Sequence, residues 1–356
     1  MADREAQLQK AVCAAHADGT ALEICGGGSK RWYGRVPKGE RLNVGEHDGI
    51  LNYQPTELVL SARAGTRLST ITEALDEHGQ RLGFDPPCFG DRATLGGVIA
   101  CGLSGPRRPY AGSARDSVLG CKIINGRGET LRFGGEVMKN VAGFDVARLM
   151  AGSLGTLGVL LEISLKVLPH RIAEHTVVLD ADFDGAIGIM NRWASTPLPI
   201  TAMAAHGRRI YFRICATPSA VSKTVHEING EIFDDGRRFW KDLREQKLSF
   251  FDDERPLWRL SVPPNAPHPL VDGASESDWV ISWGGAQRWL ISELPAEAIF
   301  QAASSAGGHA ALFRGGDRES DVFASLPAPF LTLHKRLKES FDPAGILNPG
   351  RMYKGL

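Results

Sequence analysis

Residues 88–168 read CFGDRATLGGVIACGLSGPRRPYAGSARDSVLG (88–120) and CKIINGRGETLRFGGEVMKNVAGFDVARLMAGSLGTLGVLLEISLKVL (121–168). Fifteen of the 69 residues from Gly90 to Gly158 are glycine, against about 7% in ordinary proteins. Glycine on this scale costs chain entropy. It is tolerated where backbone must turn left-handed or lie against a ligand. Here the glycines sit among apolar runs of strand and helix character, not in a featureless repeat. The stretch therefore points to a backbone surface that holds a large, flat, phosphate-bearing cofactor.

The rest of the chain sets bounds. At 356 residues with 43% hydrophobic content, it can bury a sizeable core, and its length suggests two domains. Basic and acidic side chains balance at 41 each, which excludes a bulk nucleic-acid binder. The pair Arg107-Arg108 is the one local basic cluster, either a solvated loop or a charge beside an anionic ligand. The start, MADREAQLQKAV, lacks the basic-then-apolar order of a secretory signal, and the most apolar run, 155–168, is interrupted by Glu162 and Lys166. No membrane span is expected, and the expected location is cytoplasmic, at the inner face of the membrane only through a partner. Six cysteines occur and no two form C-x-x-C, so neither a zinc site nor an iron–sulfur cluster is expected.

Residues 4–18 place Leu8, Ala11, Val12 and Ala15 on one helical stripe. Strands are expected at 21–25, 58–62 and 157–168, with a hairpin of 119–124 and 129–133 around Asn125-Gly126-Arg127-Gly128. Ser69 reads as the cap of a helix over 70–79, and 144–151 reads as a short helix. From Arg171 the glycine content falls to ordinary, and six of the seven tryptophans follow, with Trp279, Trp283 and Trp289 read as core. The expected division is a first domain over 1–170 (subdomains about 1–55 and 56–170), a smaller α+β cap over 171–330, and a C-terminal segment over 331–356. That segment carries a helix over 331–341 and ends in Asn348-Pro349-Gly350-Arg351.

Gly26-Gly27-Gly28-Ser29-Lys30 follows the first strand. Successive N–H groups in such a loop can turn inward and bind a pyrophosphate; a plain tight turn would look the same. It is not a Walker A loop, which needs Lys after the last Gly and Ser or Thr next. Gly152-Ser153-Leu154-Gly155-Thr156-Leu157-Gly158 has the spacing G-x-x-G-x-x-G and precedes a strand. The Rossmann fingerprint is G-x-G-x-x-G before a helix, so no nicotinamide site is expected.

Taken together, the triple-glycine loop, Thr94-Leu95-Gly96-Gly97, Gly112-Ser113 with Asp116, the 139–145 stretch KNVAGFD, the 152–158 motif and the closing NPGR resemble the vanillyl-alcohol oxidase / p-cresol methylhydroxylase family of FAD-binding proteins. Within it the chain is most similar to the FAD-binding subunits of bacterial glycolate oxidases, themselves similar to D-lactate dehydrogenases. The resemblance implies an α+β fold: a two-subdomain PCMH-type FAD-binding domain, a smaller α+β cap, and a tail returning to the first domain. It also implies roles. Gly26, Gly27, Gly28, Ser29 and Lys30 would bind the FAD pyrophosphate. Thr94, Leu95, Gly96, Gly97, Ser104 and Gly105 would run along the ribityl chain and isoalloxazine. Gly112, Ser113 and Asp116 would hold the pyrophosphate and ribose side, Gly158 and Val159 the adenine end, and Asn348 and Arg351 would approach the flavin ring. The implied partners are a related catalytic flavin subunit and an iron–sulfur subunit.

The chain departs from the family in two places. The first loop has no His, so FAD is expected to be non-covalent. The H-x-G-D-G-N-x-H run that binds metal and hydroxy acid in catalytic relatives is missing; His309 stands in Gly307-Gly308-His309-Ala310 without a partner His. The expected role is thus a flavin subunit for electron transfer or structure, without a hydroxy-acid site of its own and with no metal. The alternative is an autonomous dehydrogenase or oxidase of another hydroxy acid, alcohol or sugar, with Arg208, Arg209, Arg213 and His206 lining a carboxylate site.

Overall fold

The computed structural model describes residues 2–135, 145–170, 173–268, 270–271 and 273–356. Most of the KNVAGFD stretch, and the start of the helix expected at 144–151, lie outside the described residues.

The first domain is organised by strand Val159–Lys166, which is the centre of a five-stranded antiparallel sheet. It pairs with Val59–Arg63 on one side and Val118–Ile124 on the other. Six of its eight residues, Val-Leu-Leu-Glu-Ile-Ser-Leu-Lys, are buried, with only Glu162 and Lys166 partly exposed, as suits a central strand covered on both faces. Its Ser164 hydroxyl is satisfied by Ser61, 2.7 Å away. Ile50–Gln54 and Thr130–Gly134 form the edges. The division expected at residue 55 therefore falls inside the hairpin of Ile50–Gln54 and Val59–Arg63, and the smaller unit stops before residue 50. That unit is a parallel pair, Leu22–Cys25 with Glu40–Asn43, covered by helix Glu5–Asp18 through buried Leu8, Val12 and Ala15.

Helix Leu95–Cys101 lies between these two parts. Gly96 permits its close approach, because a Cβ there would come within 2.8 Å of the Ala64 Cβ. The helix expected from Ser69 starts at Leu68 instead, with Arg67 at its N-cap. Arg67 bridges Thr94 and the Leu68 N–H donates to the Ala93 carbonyl; tertiary hydrogen bonds replace the side-chain cap.

The second domain is built on an eight-stranded antiparallel sheet running from Glu231–Ile232 at one edge to His309–Arg314 at the other. Trp279, Trp283 and Trp289 are core, as read; Trp240 and Trp258 are buried too, and Trp193 is partly buried. Helix Ala328–Phe341 then returns the chain to the first domain. Its buried Lys338 ammonium donates to the carbonyls of Thr156 and Leu347 and to Asp342 Oδ2 (2.8, 2.8 and 2.6 Å). Asp342 in turn accepts from the N–H groups of Ile346 and Leu347. Leu347 is bridged to Leu22, so the tail lies beside the first strand.

Candidate cofactor site

The loop Gly26–Lys30 leaves strand Leu22–Cys25 and interlocks with residues 92–94. A Cβ on Gly27 would lie 1.4 Å from the Arg92 carbonyl oxygen, and one on Gly26 would lie 2.4 Å from Thr94 Oγ1. Gly28 has φ +73°, the left-handed region that glycine enters freely. Glycine is thus required here by contact at two positions and by conformation at the third.

The loop forms one wall of an open cleft of about 590 Å³, with Cys101, Asn348 and Arg351 opposite. A second space of about 410 Å³ adjoins it and shares Gly26, Thr94, Gly97, Ala100, Leu154 and Asn348 as wall. Its far end is made by Ala64, Gly96, Gly155 and Gly158. A third cavity of about 360 Å³ lies between the two domains, bounded by Phe89, Ser104, Gly105, Arg259, Gln287 and Trp289 among others. The first two spaces, through the wall residues they share, together form one slot.

The slot is positive at its loop end. Lys30 is buried, and its ammonium donates to the Cys88 carbonyl (3.1 Å) and Ser29 Oγ (3.3 Å). Burial lowers its pKa, while the Cys101 and Cys88 thiols and Glu245 act in the opposite direction. Arg41 reaches Cys25 Sγ at 3.0 Å. Arg31 and Glu23 neutralise each other in a two-point pair at 2.5 and 3.0 Å. Among the described residues, Lys30, Arg41 and Arg351 have no carboxylate within ion-pair distance, although Glu245 acts on Lys30 and Glu23 on both arginines from further away.

The structure sorts the expected site residues into groups. Gly26, Gly27, Gly28, Ser29, Lys30, Thr94, Gly96, Gly97, Gly158, Asn348 and Arg351 line the slot. Ser104 and Gly105 line the interdomain cavity. Leu95 and Val159 are inaccessible and belong to the core. Gly112, Ser113 and Asp116 line none of these spaces. The Asp116 carboxylate instead accepts from the Ser113 N–H and hydroxyl at 2.8 and 2.7 Å, a capping box. Asn348 has φ +43° and uses both ends of its amide in structure: Oδ1 accepts from the Ile24 N–H (2.8 Å) and Nδ2 donates one hydrogen to the Leu154 carbonyl (2.6 Å). Arg351 likewise donates to the carbonyls of Arg31, Arg35 and Tyr33, so its charge faces the slot while its hydrogen bonds anchor the tail.

Sequence reasoning missed the Arg31–Glu23 pair and Gly155. Only Gly155 carried a signal, as the middle glycine of its motif. Arg107 is not a solvated charge, whereas Arg108 stays exposed as the solvated-loop reading expects. Arg107 is buried against Glu174, and the Arg108 guanidinium stacks over Trp283 at 4.3 Å. The carboxylate site considered for the second domain does not assemble either. Arg208 and Arg209 pair with Asp182 and Asp180 on the surface, His206 lies against Phe250, and Arg213 is held by Asp85 and Glu174. His309 is the exposed first residue of its strand. Among the described residues, no three His, Cys, Asp or Glu side chains are grouped as a metal ion would need.

Residues 1–134 match the FAD binding domain family, and residues 317–352 match the C-terminal domain of FAD linked oxidases. The chain is 46% identical to the glycolate oxidase subunit GlcE of Escherichia coli (strain K12), over 99% of both chains. The chain belongs to the FAD-linked oxidase family. It is also 29% identical to the glycolate oxidase subunit GlcD of Bacillus subtilis (strain 168), over 45% of this chain and 33% of that one. Among solved structures, alkyldihydroxyacetonephosphate synthase has the same fold, with TM-score 0.68 and 16% identity over 97% of this chain and 75% of that one.

The slot fits FAD. Glycines recur along its lining at 26, 27, 28, 96, 97, 155 and 158, the Gly97 Cβ position is open apart from Thr94 Oγ1, and its positive end lies at the loop whose N–H groups suit a pyrophosphate.

Proposed function

We propose that the chain is the FAD-binding subunit of a glycolate oxidase complex that oxidises glycolate to glyoxylate. The observation that carries this is the identity with GlcE, which extends over the whole of both chains and includes the slot. Bound FAD supplies a two-electron acceptor. The chain's own residues seat it: the Gly26–Lys30 loop and Lys30 take the phosphates, Gly97 gives close backbone contact, Gly155 makes room for the Asn348 amide, and Asn348 and Arg351 lock the tail against the slot. Among the described residues no His lines the slot, and burial raises the Cys101 thiol pKa so that it stays protonated, which supports non-covalent binding.

Glycolate itself is oxidised in a related, GlcD-type flavin subunit, and an iron–sulfur subunit takes the electrons onward. In this reading the chain relays electrons or scaffolds the assembly in the cytoplasm, reaching the membrane only through its partners. None of the described helices is long and apolar enough to cross a membrane.

One observation favours a second reading, an autonomous dehydrogenase. In the interdomain cavity, Arg259 has no carboxylate within ion-pair distance among the described residues; it touches only the Tyr33 hydroxyl (3.3 Å) and the Tyr33 and Phe313 rings. Glycolate turnover with an artificial electron acceptor separates the two. The first reading expects none from the purified FAD-loaded chain and turnover once the GlcD-type subunit is added. Rapid turnover by the chain alone overturns it.

A further inference from the structure

Helix Gly236–Glu245 of the second domain ends on a carboxylate. That position opposes the helix dipole, which favours cations at the C-terminus. The Glu245 carboxylate nevertheless is buried there, and it is used. It accepts from the Phe89 N–H at 2.8 Å and from the Cys88 N–H at 3.1 Å, both in the first domain. Arg244 steadies it at 2.8 Å and is itself paired with Asp85 at 2.9 Å.

The Cys88–Phe89 peptide is therefore held from both sides. In a trans peptide the C=O and N–H point in opposite directions. The Phe89 N–H meets Glu245, and the Cys88 C=O receives the Lys30 ammonium at 3.1 Å. An ionised group at each end polarises the same amide, which strengthens both hydrogen bonds. Phe89 has φ +51°, an uncommon conformation for a bulky residue that persists only where surroundings enforce it. Its ring is fixed against Trp32 and faces Lys30. Lys30 has three donors; Cys88 and Ser29 occupy two, and one remains for a ligand.

We propose that Glu245 is the positioning residue through which the second domain sets Lys30 for the phosphates of FAD: the carboxylate fixes the Cys88–Phe89 peptide, and the peptide carbonyl fixes the lysine. The inference rests on the cofactor reading above. It assigns the second domain a part in cofactor binding although Glu245 does not line the slot.

The groups that face Lys30 are Ser29, the Phe89 ring, the Cys88 and Cys101 thiols and, across the peptide, Glu245. Loss of the Glu245 charge removes one influence that keeps the ammonium protonated. The ammonium is then lost at a lower pH, and the alkaline fall in FAD affinity moves down with it.

The test is a thermodynamic cycle on the full chain, with FAD dissociation constants read by flavin fluorescence from pH 6 to 10. Glu245→Gln keeps the shape and removes the charge. It is expected to weaken FAD about tenfold, or about 1.4 kcal/mol, and to shift the alkaline limb to lower pH. Lys30→Met is expected to abolish that limb, and Glu245→Gln added to it is expected to change affinity no further. Glu245→Asp, which keeps the charge but shortens the reach, weakens FAD without the pH shift and serves if the Gln variant does not fold. Wild-type affinity and limb in Glu245→Gln, or full additivity with Lys30→Met, overturns the proposal. No FAD uptake by the wild type overturns the cofactor reading instead.

Discussion

Gly97 lies in the first turn of helix Leu95–Cys101 and lines both parts of the slot. A Cβ there meets only Thr94 Oγ1, at 3.3 Å, a contact that the hydroxyl can relieve by a few tenths of an ångström. Its φ is not left-handed, so alanine is conformationally allowed. For the fold alone, Gly97→Ala gains about 0.8–1 kcal/mol of helix propensity, and the squeeze on Thr94 offsets part of that. The new methyl instead projects into cofactor space. Overpacking a fitted surface costs about 1–3 kcal/mol, or about 5- to 150-fold in affinity at 1.4 kcal/mol per decade. The expected pair of results is an apo-protein melting temperature equal to or slightly above wild type, with FAD affinity reduced at least about fivefold. Differential scanning calorimetry of apo-protein and fluorescence titration with FAD read the two separately. An unchanged FAD affinity refutes the placement of the cofactor over Gly97. A large loss of apo stability shows that the glycine serves the fold.

Asp85→Asn breaks the interdomain network of Asp85, Arg213, Arg244, Glu174 and Arg107. Removing one partner from a buried ion network costs about 3–5 kcal/mol, measurable by urea unfolding at pH 7. Burial would raise the carboxyl pKa of Asp85 and Glu174, but the arginines hold both below their ordinary values. Their stabilisation is present above the unfolded-state pKa of about 4 and is lost as pH falls through the lower folded values. The variant should therefore lose less stability than wild type between pH 4 and 2, and equal acid slopes contradict this. Asn348→Ala leaves the Ile24 N–H and the Leu154 carbonyl without their partner, at about 1–3 kcal/mol each; thermal unfolding should show the drop, with weaker FAD binding alongside it.

Much of the slot was legible because its signal is local. Gly26, Gly27 and Gly28 announce a backbone that touches something. Helix Glu5–Asp18 and the Val118–Ile124/Thr130–Gly134 hairpin follow from periodicity and from the Asn125 turn, whose Oδ1 accepts from the Arg127 and Glu129 N–H groups. What escaped depends on partners distant in sequence. Arg107 reads as a surface charge until Glu174, 67 residues on, buries it. Glu245 reads as an ordinary helix residue until residues 88 and 89 arrive from 156 or more positions away. Asp116 carries a family motif whose chemistry, a carboxylate three residues after a serine, is also that of a capping box, and the geometry shows the cap. The helix cap misread at Ser69 has the same origin, since the Ala93 carbonyl takes the Leu68 N–H.

The central claim is that this chain holds one FAD, non-covalently, in the slot under the Gly26–Lys30 loop. Equilibrium titration of the apo-protein with FAD, followed by acid precipitation and assay of the supernatant, tests it most directly. The account predicts saturation at one FAD per chain, complete release of flavin into the supernatant, and loss of uptake in Gly26→Val, whose side chain would collide with Thr94. A colourless protein that takes up no FAD, or flavin that stays with the precipitate, would contradict it.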